Sequence, residues 1–368
     1  MVREAAYGTL LRRARQQLHA QVADTLEAQS PELMDTQPEL FAQHYAEAGL
    51  VEKSAICWGK AGHRSAARLA MAEAAAQFQK GLDQLLQLPV DLERQRQELE
   101  FRSALGAVLF AVKGQAAPET GHAYARAREL WEQLGSPSEY LHIPYGQSQY
   151  HQYRCEFDLS LRLDEDLLRL SRQRNDSAGL VLGHYSSGRN LVFNGKFAAS
   201  RSHFEEVRAL YDPISHRSLV HQAGNHLQII SQAWLGNVLF CLGYPDRALA
   251  RSNAAIAEAR RLAHPPSLAQ SLANGARLLS LVGDNTVLDK WVDQLIEVTT
   301  AQGFAHWGAQ GTIYRGWVKV MNGDLTEGIS PCVAAQPLPA PPGLSCGCPI
   351  ISPSSPEHAS SEGKLKRP

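Results

Sequence analysis

The sequence predicts an all-α protein built from repeated helix pairs, and three observations support this fold class. Apolar residues recur at intervals of three and four, as at Leu159, Leu163, Leu167 and Leu170, which is the period of an amphipathic helix. Strand signals are nearly absent, because the sequence has no long alternating runs and no Asn-Gly hairpin between β-branched segments. Glycine and proline fall mostly between the periodic segments and divide the chain into helices of roughly 12–20 residues.

The composition excludes several classes of protein. The chain has 368 residues, a formal net charge of −1 and a hydrophobic fraction of 44%. The apolar content is too high for a wholly disordered chain and sufficient for a substantial core. The nearly balanced charge argues against a mainly electrostatic nucleic-acid binder.

Localisation follows from features that the sequence lacks. The N-terminus has no apolar signal-peptide core, and no stretch approaches 18 uninterrupted apolar residues. The six cysteines do not form a disulfide framework, and Cys57, Cys155 and Cys241 stand singly in helical stretches, where we expect free thiols. We therefore expect a cytoplasmic protein that binds neither membranes nor nucleic acids.

A glycine recurs inside the predicted helices at a nearly constant phase. Successive members follow one another at similar intervals along the chain, and in three units a second glycine follows one heptad later. The mid-helix set is Gly62, Gly106, Gly146, Gly188, Gly236, Gly275 and Gly316, and the second glycines are Gly195, Gly243 and Gly323. Because a helix-interior glycine costs about 1 kcal/mol relative to alanine, the recurrence predicts close approach of neighbouring helices. The second glycine suits the left-handed position that ends a helix.

These features resemble the tetratricopeptide repeat, whose signature places Trp, Leu, Gly and Tyr on a first helix and Ala and Phe on a second. The residues that match and are expected to pack the repeats are Trp58, Gly62, Ala74 and Phe78, Gly106, Gly188 with Phe204, and Leu235, Gly236 and Ala248. The period, about 40 residues, is longer than the roughly 34 residues of the family signature. The resemblance implies a right-handed α-solenoid of about seven units over residues 51–330. The alternative is an irregular helical bundle with coincidental glycines.

Residues 1–50 do not follow the repeat phase, and we expect a helical junction there. The distinctive residues are 2–7, Leu10 and Leu11, Arg15, Leu18 and His19, 42–44, and 58–62. This pattern resembles the segment that follows the ATPase and winged-helix modules of bacterial signal-transduction ATPases, which are often fused to a class III adenylate cyclase domain. The resemblance implies that the chain is a fragment of such a regulator and that the catalytic modules lie upstream of Met1.

Residues 331–368 are expected to form an irregular, disordered tail. Nine of the 19 prolines lie in this segment, and proline cannot occupy a helix interior without breaking it. The change of composition falls inside a predicted helix rather than at a boundary. We therefore favour the hypothesis that a frameshift or gene truncation replaced the rest of the repeat array, and the alternative is a native tail.

No motif predicts catalysis, a cofactor or a metal. The Gly-Lys pairs at 59–60, 195–196 and 363–364 lack Walker spacing, and the dinucleotide, zinc-protease and nucleophile-elbow motifs are missing. Asp164, Glu165 and Asp166 are adjacent, but neighbouring residues of a helix point about 100° apart. We therefore expect a solvated helix face at this cluster and no enzyme activity.

The remaining functional prediction is a binding surface. The first helices of stacked helix pairs line the concave face of a superhelix. The resemblance to tetratricopeptide repeats places Gln147, Tyr150, His151, Tyr185, Arg189, Asn190 and Asn237 on that face. We expect a protein, a peptide or a small effector to bind there, although the same side chains could be solvated or pack between repeats.

The function predicted from the sequence is a non-catalytic protein-interaction or effector-sensing module of a signalling regulator. Two alternatives stay open: a stand-alone tetratricopeptide scaffold, and an α-helical enzyme with an unrecognised site.

Overall fold

The segments with predicted helical periodicity are α-helices in the described residues. The computed structural model describes residues 11–68 and 70–334, with 221–222, 305 and 330–334 described by their backbone alone. Within these ranges the structure contains no strand, and the all-α prediction is confirmed. Residues 1–10 of the predicted junction and residues 335–368 of the predicted tail lie outside the described residues.

Eighteen α-helices follow one another in the described residues. They are α1 (Arg12–Gln29), α2 (Leu33–Thr36), α3 (Pro38–Ala48), α4 (Val51–Ala67), α5 (Met71–Leu85), α6 (Leu92–Val112), α7 (Pro118–Gln133), α8 (His142–Tyr153), α9 (Phe157–Gln173), α10 (Ser177–Phe193), α11 (Phe197–Leu210), α12 (Leu219–Ala223), α13 (Leu227–Cys241), α14 (Pro245–Arg261), α15 (Pro265–Val282), α16 (Asn285–Gln302), α17 (Ala305–Met321) and α18 (Leu325–Ala334). From α4 onward they pack as seven successive pairs: α4/α5, α6/α7, α8/α9, α10/α11, α13/α14, α15/α16 and α17/α18.

Local chemistry sets the helix ends. The Asp91 carboxylate accepts a hydrogen bond from the backbone N–H of Arg94 at 2.8 Å and caps the start of α6. Asp176 caps α10 in the same way, at 3.0 Å from the N–H of Gly179. Beyond three helix ends the chain turns with φ of +69°, +86° and +96°, at Gly195, Gly243 and Gly323 respectively. Glycine adopts this left-handed conformation without strain, which explains the second glycine of these units.

Mid-helix glycines are the points where aromatic rings of the neighbouring helix make contact. A Cβ atom added at Gly62 would lie 2.7 Å from the ring of Phe78, and one at Gly188 would lie 2.8 Å from the ring of Phe204. Both rings are fully buried. Because such distances are shorter than real Cβ contacts, the paired helices approach more closely than alanine would permit. Other buried signature residues are Trp58, Ala74, Leu235 and Ala248.

The Tyr124 ring lies between glycines of two successive pairs. An added Cβ atom would lie 3.1 Å from this ring at Gly106, on α6, and 2.4 Å from it at Gly146, on α8. Tyr124 is itself on α7 and buried. The ring therefore fixes the spacing between the second and third pairs.

In the C-terminal pairs, other groups of the facing helix lie against the mid-helix glycine. At Gly236 the nearest atom to an added Cβ would be the backbone carbonyl oxygen of Ala248, at 3.1 Å. At Gly275 it would be the ring of Trp291, at 2.3 Å. Gly316 is buried, and its carbonyl oxygen faces α18. The glycines thus permit backbone or ring contact in the C-terminal pairs as well.

The longest interval between the phased glycines has a structural cause. This interval runs from Gly188 to Gly236, and the short helix α12 is inserted within it, between the pairs α10/α11 and α13/α14. The extra helix lengthens the connection and leaves the pairing of the flanking helices unchanged.

Two sequence expectations need correction. Helix α18 continues to Ala334, so the first four residues assigned to the tail are helical. Cys57 and Cys241 are free thiols, whereas Cys155 is disulfide-bonded, so the expectation of a free thiol is wrong for Cys155.

Two histidines of the junction pattern meet between α1 and α3. The Nδ1 atoms of His19 and His44 lie 2.9 Å apart, beside a cavity of about 520 Å³ that Trp58 and Lys80 also line. Burial, followed by the charge of His19, lowers the pKa of His44. The two motif segments therefore form one contact. In the described ranges no helix is long and apolar enough to cross a membrane.

The Gly146 contact predicts a directional change in stability. Gly146→Ala should lower the free energy of unfolding by about 1–3 kcal/mol, because the added methyl group overlaps the buried Tyr124 ring. Gly308→Ala is the matched control, since its Cβ atom would lie 3.5 Å from Thr299, an ordinary contact. The control should be neutral or stabilising by up to about 1 kcal/mol. Urea unfolding followed by circular dichroism measures both, and a Gly146→Ala protein as stable as the wild type would contradict the packing argument.

Candidate ligand cavity

The first helices of six pairs line one cavity. The cavity measures about 850 Å³ and is bounded mainly by α4, α6, α8, α10, α15 and α17. Its walls are mostly apolar or aromatic, with a few convergent polar groups. The aromatic side chains are Phe78, Phe110, Tyr124, Tyr145, Tyr153, Tyr185 and Trp307, and the larger polar ones are His63, Gln115, His142, Gln149, Arg189, Asn225 and Gln270. Small-molecule sites in proteins typically have this size and composition.

The cavity wall carries one permanent charge among the described lining residues. Arg189 supplies it, and no Asp or Glu lines the cavity there. His63 lies at an exposed edge, where its Nε2 atom is 2.9 Å from Glu100. Burial lowers the pKa of His142 to about 4, so this imidazole is neutral at pH 7. The site is therefore apolar with a single cationic position.

Arg189 is buried with part of its hydrogen-bonding capacity unused. The side chain belongs to a residue that is 6% exposed. Its Nη1 donates to Oε1 of Gln149, its Nη2 lies 3.4 Å from the Tyr153 hydroxyl, and its Nε has no hydrogen-bond partner. The guanidinium carbon is 5.7 Å from the centre of the Tyr185 ring and 5.9 Å from that of Trp234. Aromatic faces thus hold the cation in place.

A fully buried polar cluster lies beside this position. Asp164 is 0% exposed, and its Oδ1 accepts from the Ser148 hydroxyl at 2.6 Å. Its Oδ2 accepts from Nδ2 of Asn190, also at 2.6 Å, and the same Nδ2 is 2.7 Å from Oγ of Ser160. The expectation of a solvated face is therefore wrong for Asp164, because α9 turns this carboxylate toward α8 and α10.

Asp164 occupies the repeat position that carries an aromatic ring in other pairs. Asp164 follows Ser148 at the same separation along the chain as Phe204 follows Gly188. In both pairs a serine of the second helix also hydrogen-bonds a carbonyl of the first: Ser160 to Ser148 and Ser200 to Gly188, each at 2.8 Å. The third pair thus replaces ring-on-glycine packing with a hydrogen bond between hydroxyl and carboxylate.

The buried cluster and the cavity form one hydrogen-bonded network. Gln149 accepts from Arg189 and donates through Nε2 to the Ser186 hydroxyl at 3.2 Å. The Ser186 hydroxyl lies 3.1 Å from that of Ser148, which donates to Asp164. A change at Arg189 can therefore reach the helix-packing position of α9 through three intermediate side chains.

Of the seven side chains that the sequence predicts on a binding face, two line the cavity and five do not. Tyr185 and Arg189 line the cavity. Asn190 belongs to the buried cluster, and Asn237 packs between repeats, where its Nδ2 lies 3.2 Å from the carbonyls of Ala233 and Asn274.

The other three residues of that set lie on α8 away from the cavity lining. The ring of Tyr150 occupies the space over Gly121, where an added Cβ atom would be 2.3 Å away. Nδ1 of His151 lies 2.6 Å from a Glu156 carboxylate oxygen. Gln147 is partly buried, and its Oε1 has no hydrogen-bond partner.

Sequence reasoning missed the side chains of α8 that do line the cavity. Besides His142, these are Tyr145, Gln149 and Tyr153, which follow one another at intervals of four residues. Residues with this spacing share one helix face, so the pattern was a usable signal. No local pattern marked Gln270 and Trp307, which reach the same cavity from helices far along the chain.

One hydroxyl and one imidazole of the cavity lining are within hydrogen-bonding distance of each other. Ser103 and His142 form a hydrogen bond at the cavity edge, but an imidazole with a pKa near 4 is a weak general base at neutral pH. Within residues 11–68 and 70–334, no group of three or more His, Cys, Asp or Glu side chains could hold a metal ion.

Comparison with curated proteins finds a remote relative. No family model matches the sequence. An uncharacterized protein of Rhizobium meliloti (strain 1021) is 22% identical over 337 residues, which cover 89% of this chain and 32% of that protein. The chain therefore spans about a third of the length of this curated relative.

Solved structures share the fold at low sequence identity. A Rap protein complexed with competence and sporulation factor has a TM-score of 0.60 at 12% identity, covering 88% of this chain and 87% of that one. The apo form of the quorum sensor NprR from B. thuringiensis has a TM-score of 0.54 at 10% identity, covering 91% and 90%. The chain is a tetratricopeptide-like helical solenoid, and the predicted fold class is confirmed.

The buried carboxylate predicts a pH-dependent stability. Burial raises the pKa of Asp164 to about 7, although the hydrogen bonds from Ser148, Ser186 and Asn190 oppose this shift. An aspartate of the unfolded chain titrates near 4, so the folded state binds this proton more tightly. The contribution of Asp164 to the free energy of unfolding is therefore complete below pH 4 and decreases as the pH rises through 7, by up to about 4 kcal/mol.

Asp164→Asn isolates this contribution, because the amide does not titrate. Urea unfolding of both proteins at pH 5 and pH 8 should show that the wild type loses more stability between these values than the variant does. The free energy of unfolding of the wild type minus that of Asp164→Asn should therefore be smaller at pH 8 than at pH 5. If this value is equal or larger at pH 8, the assignment is wrong.

Proposed function

We propose that the chain is a non-catalytic sensing module, and that a peptide or small effector binds in the Arg189 cavity. The observation that carries this proposal is the cavity itself: about 850 Å³, apolar and aromatic walls, and a few inward polar groups. Two structures with the same fold, one complexed with competence and sporulation factor and one described as a quorum sensor, support a sensing role. The first helices that line the cavity would form the concave face of the solenoid.

The position of the cavity suggests how binding would be transmitted. A ligand there would touch helices from α4 to α17 and would join pairs that are not neighbours along the solenoid. A ligand that favours one spacing of the pairs shifts the population toward it. The solenoid would then change curvature and act on whatever module is attached to it.

We further propose that the chain functions as part of a longer cytoplasmic regulator, with a junction at 1–50, repeats from residue 51 to the end of α18 at Ala334, and a tail after it. The junction resemblance supports an origin among signal-transduction ATPases or adenylate-cyclase regulators, and the coverage of the curated relative supports a longer whole. A stand-alone scaffold is the second candidate, since large solenoid surfaces are suited to protein binding.

Filling the cavity tests the proposed function. Ala107 is exposed on α6 and lines the cavity, so Ala107→Trp should occupy part of the space without overlapping the core. Ala125→Trp is the matched control, because Ala125 is exposed on α7 outside the lining. A defined library of hexapeptides and amphipathic small molecules is screened by thermal shift and confirmed by calorimetry.

We expect compounds that bind the wild type and Ala125→Trp and whose affinity falls at least about tenfold in Ala107→Trp, the effect of losing about 1.4 kcal/mol of binding. If the library binds the wild type and Ala107→Trp equally, the cavity is not the sensing site. If purified protein hydrolyses any library member, the non-catalytic assignment is wrong.

A further inference from the structure

We propose that the cavity selects ligands that carry one carboxylate on an apolar or aromatic body, and that Arg189 binds the carboxylate. This inference rests on the proposed function and specifies the ligand class of the same site. The carboxylate belongs either to a small organic acid or to the C-terminus of a short peptide, and both offer the same chemistry.

The charge of the cavity wall favours an anionic ligand. Among its described lining residues, Arg189 is the permanent cation and carboxylates are missing. Asp164 does not neutralise Arg189 by an ion pair, since its two carboxylate oxygens accept from Ser148 and Asn190. A buried cation without an ion-pair partner is costly, and an anionic ligand would remove this cost.

Part of the hydrogen-bonding capacity of the Arg189 guanidinium is unused. Nε is buried without a partner, and the contact from Nη2 to the Tyr153 hydroxyl, at 3.4 Å, is long for a hydrogen bond. Nε and one Nη of a guanidinium are the pair of donors that binds a carboxylate side by side. The protein therefore leaves one of these donors of Arg189 unpaired and the other weakly paired.

Three aromatic rings surround the guanidinium of Arg189. The rings of Tyr153, Tyr185 and Trp234 lie 5.6, 5.7 and 5.9 Å from the guanidinium carbon. Contacts to the aromatic faces restrain the cation, and the Tyr153 and Tyr185 hydroxyls also interact with it, whereas Nε has no partner. The cation is thus positioned before any ligand arrives, which reduces the entropy lost on binding.

The single positive charge of the wall favours a carboxylate over a phosphate. Arg277 lies 5.1 Å from the Trp234 ring, but it is outside the cavity lining, and its Nη1 faces Asn274. A single guanidinium in an otherwise uncharged wall balances one negative charge. A phosphate with a charge near −2 would leave an uncompensated charge in the apolar cavity.

The body of the ligand follows from the rest of the wall. Trp307, Phe110 and Tyr145 supply flat apolar surface, and Gln270 offers an amide that can bind a polar group. The volume of about 850 Å³ accommodates a drug-sized acid or the last few residues of a peptide.

The test uses matched acids and amides. Indole-3-butyrate is compared with indole-3-butyramide, and the tripeptide Phe-Leu-Phe with its C-terminal amide, by isothermal titration calorimetry at pH 7.5. Wild-type protein should bind at least one acid about tenfold or more tightly than the corresponding amide, as a charge-assisted hydrogen bond requires. Which acid shows the preference distinguishes a small acid from a peptide C-terminus.

Arg189→Met tests the residue, because it removes the charge and leaves a side chain of similar length. The preference for acid over amide should disappear while the affinity for the amide stays within about threefold, which also shows that the variant folds. Arg169→Met, at a largely exposed arginine of α9, is the control and should keep the preference.

Equal binding of acid and amide by the wild type would overturn the inference without recourse to any variant. So would a preference that survives in Arg189→Met, or failure of every acid to bind. In each of these cases, library members that bind the wild type and lose affinity in Ala107→Trp would still support the proposed function, so the two failures are distinguishable.

Discussion

The structure depends on one recurring contact, the approach of an aromatic ring or a backbone carbonyl to a glycine of the facing helix. Phe78 on Gly62, Phe204 on Gly188 and Trp291 on Gly275 repeat it at one constant separation along the chain. Because an alanine methyl group would overlap these rings, the contact fixes how closely each pair packs. The regular stacking of pairs, and therefore the cavity between their first helices, follows from that spacing.

The third pair departs from this rule, and the departure lies beside the Arg189 cavity. Asp164 takes the place of the ring and Ser148 that of the glycine, so packing there depends on hydrogen bonds rather than on an apolar ring. The phenylalanine rings at this position do not titrate, whereas a buried carboxylate does. The pair that supplies Gln149 to the cavity is thus the pair whose packing responds to protonation and to nearby charge.

Much of the fold could be predicted from the sequence, and less of the site could. Helical period, phased glycines and turn residues are local signals, and they gave the all-α class and the tetratricopeptide-like pairing. Burial of Asp164 could not be predicted in this way, because its neighbours on the chain are charged and its partners, Ser148 and Asn190, lie on two other helices. Trp307 reaches the cavity from α17, so only the superhelical path of the chain places it there.

Arg189 connects these two levels of organisation. It stands on the first helix of its pair one residue after the phased Gly188, so the repeat that packs Gly188 against Phe204 also directs Arg189 into the cavity. Its partner Gln149 is joined through Ser186 to the Ser148–Asp164 contact. An anion bound to Arg189 would alter the field at a carboxylate that holds α8 to α9, and would do so without moving any helix beforehand. Under the proposed function, ligand recognition and repeat packing would be coupled by electrostatics over a few side chains.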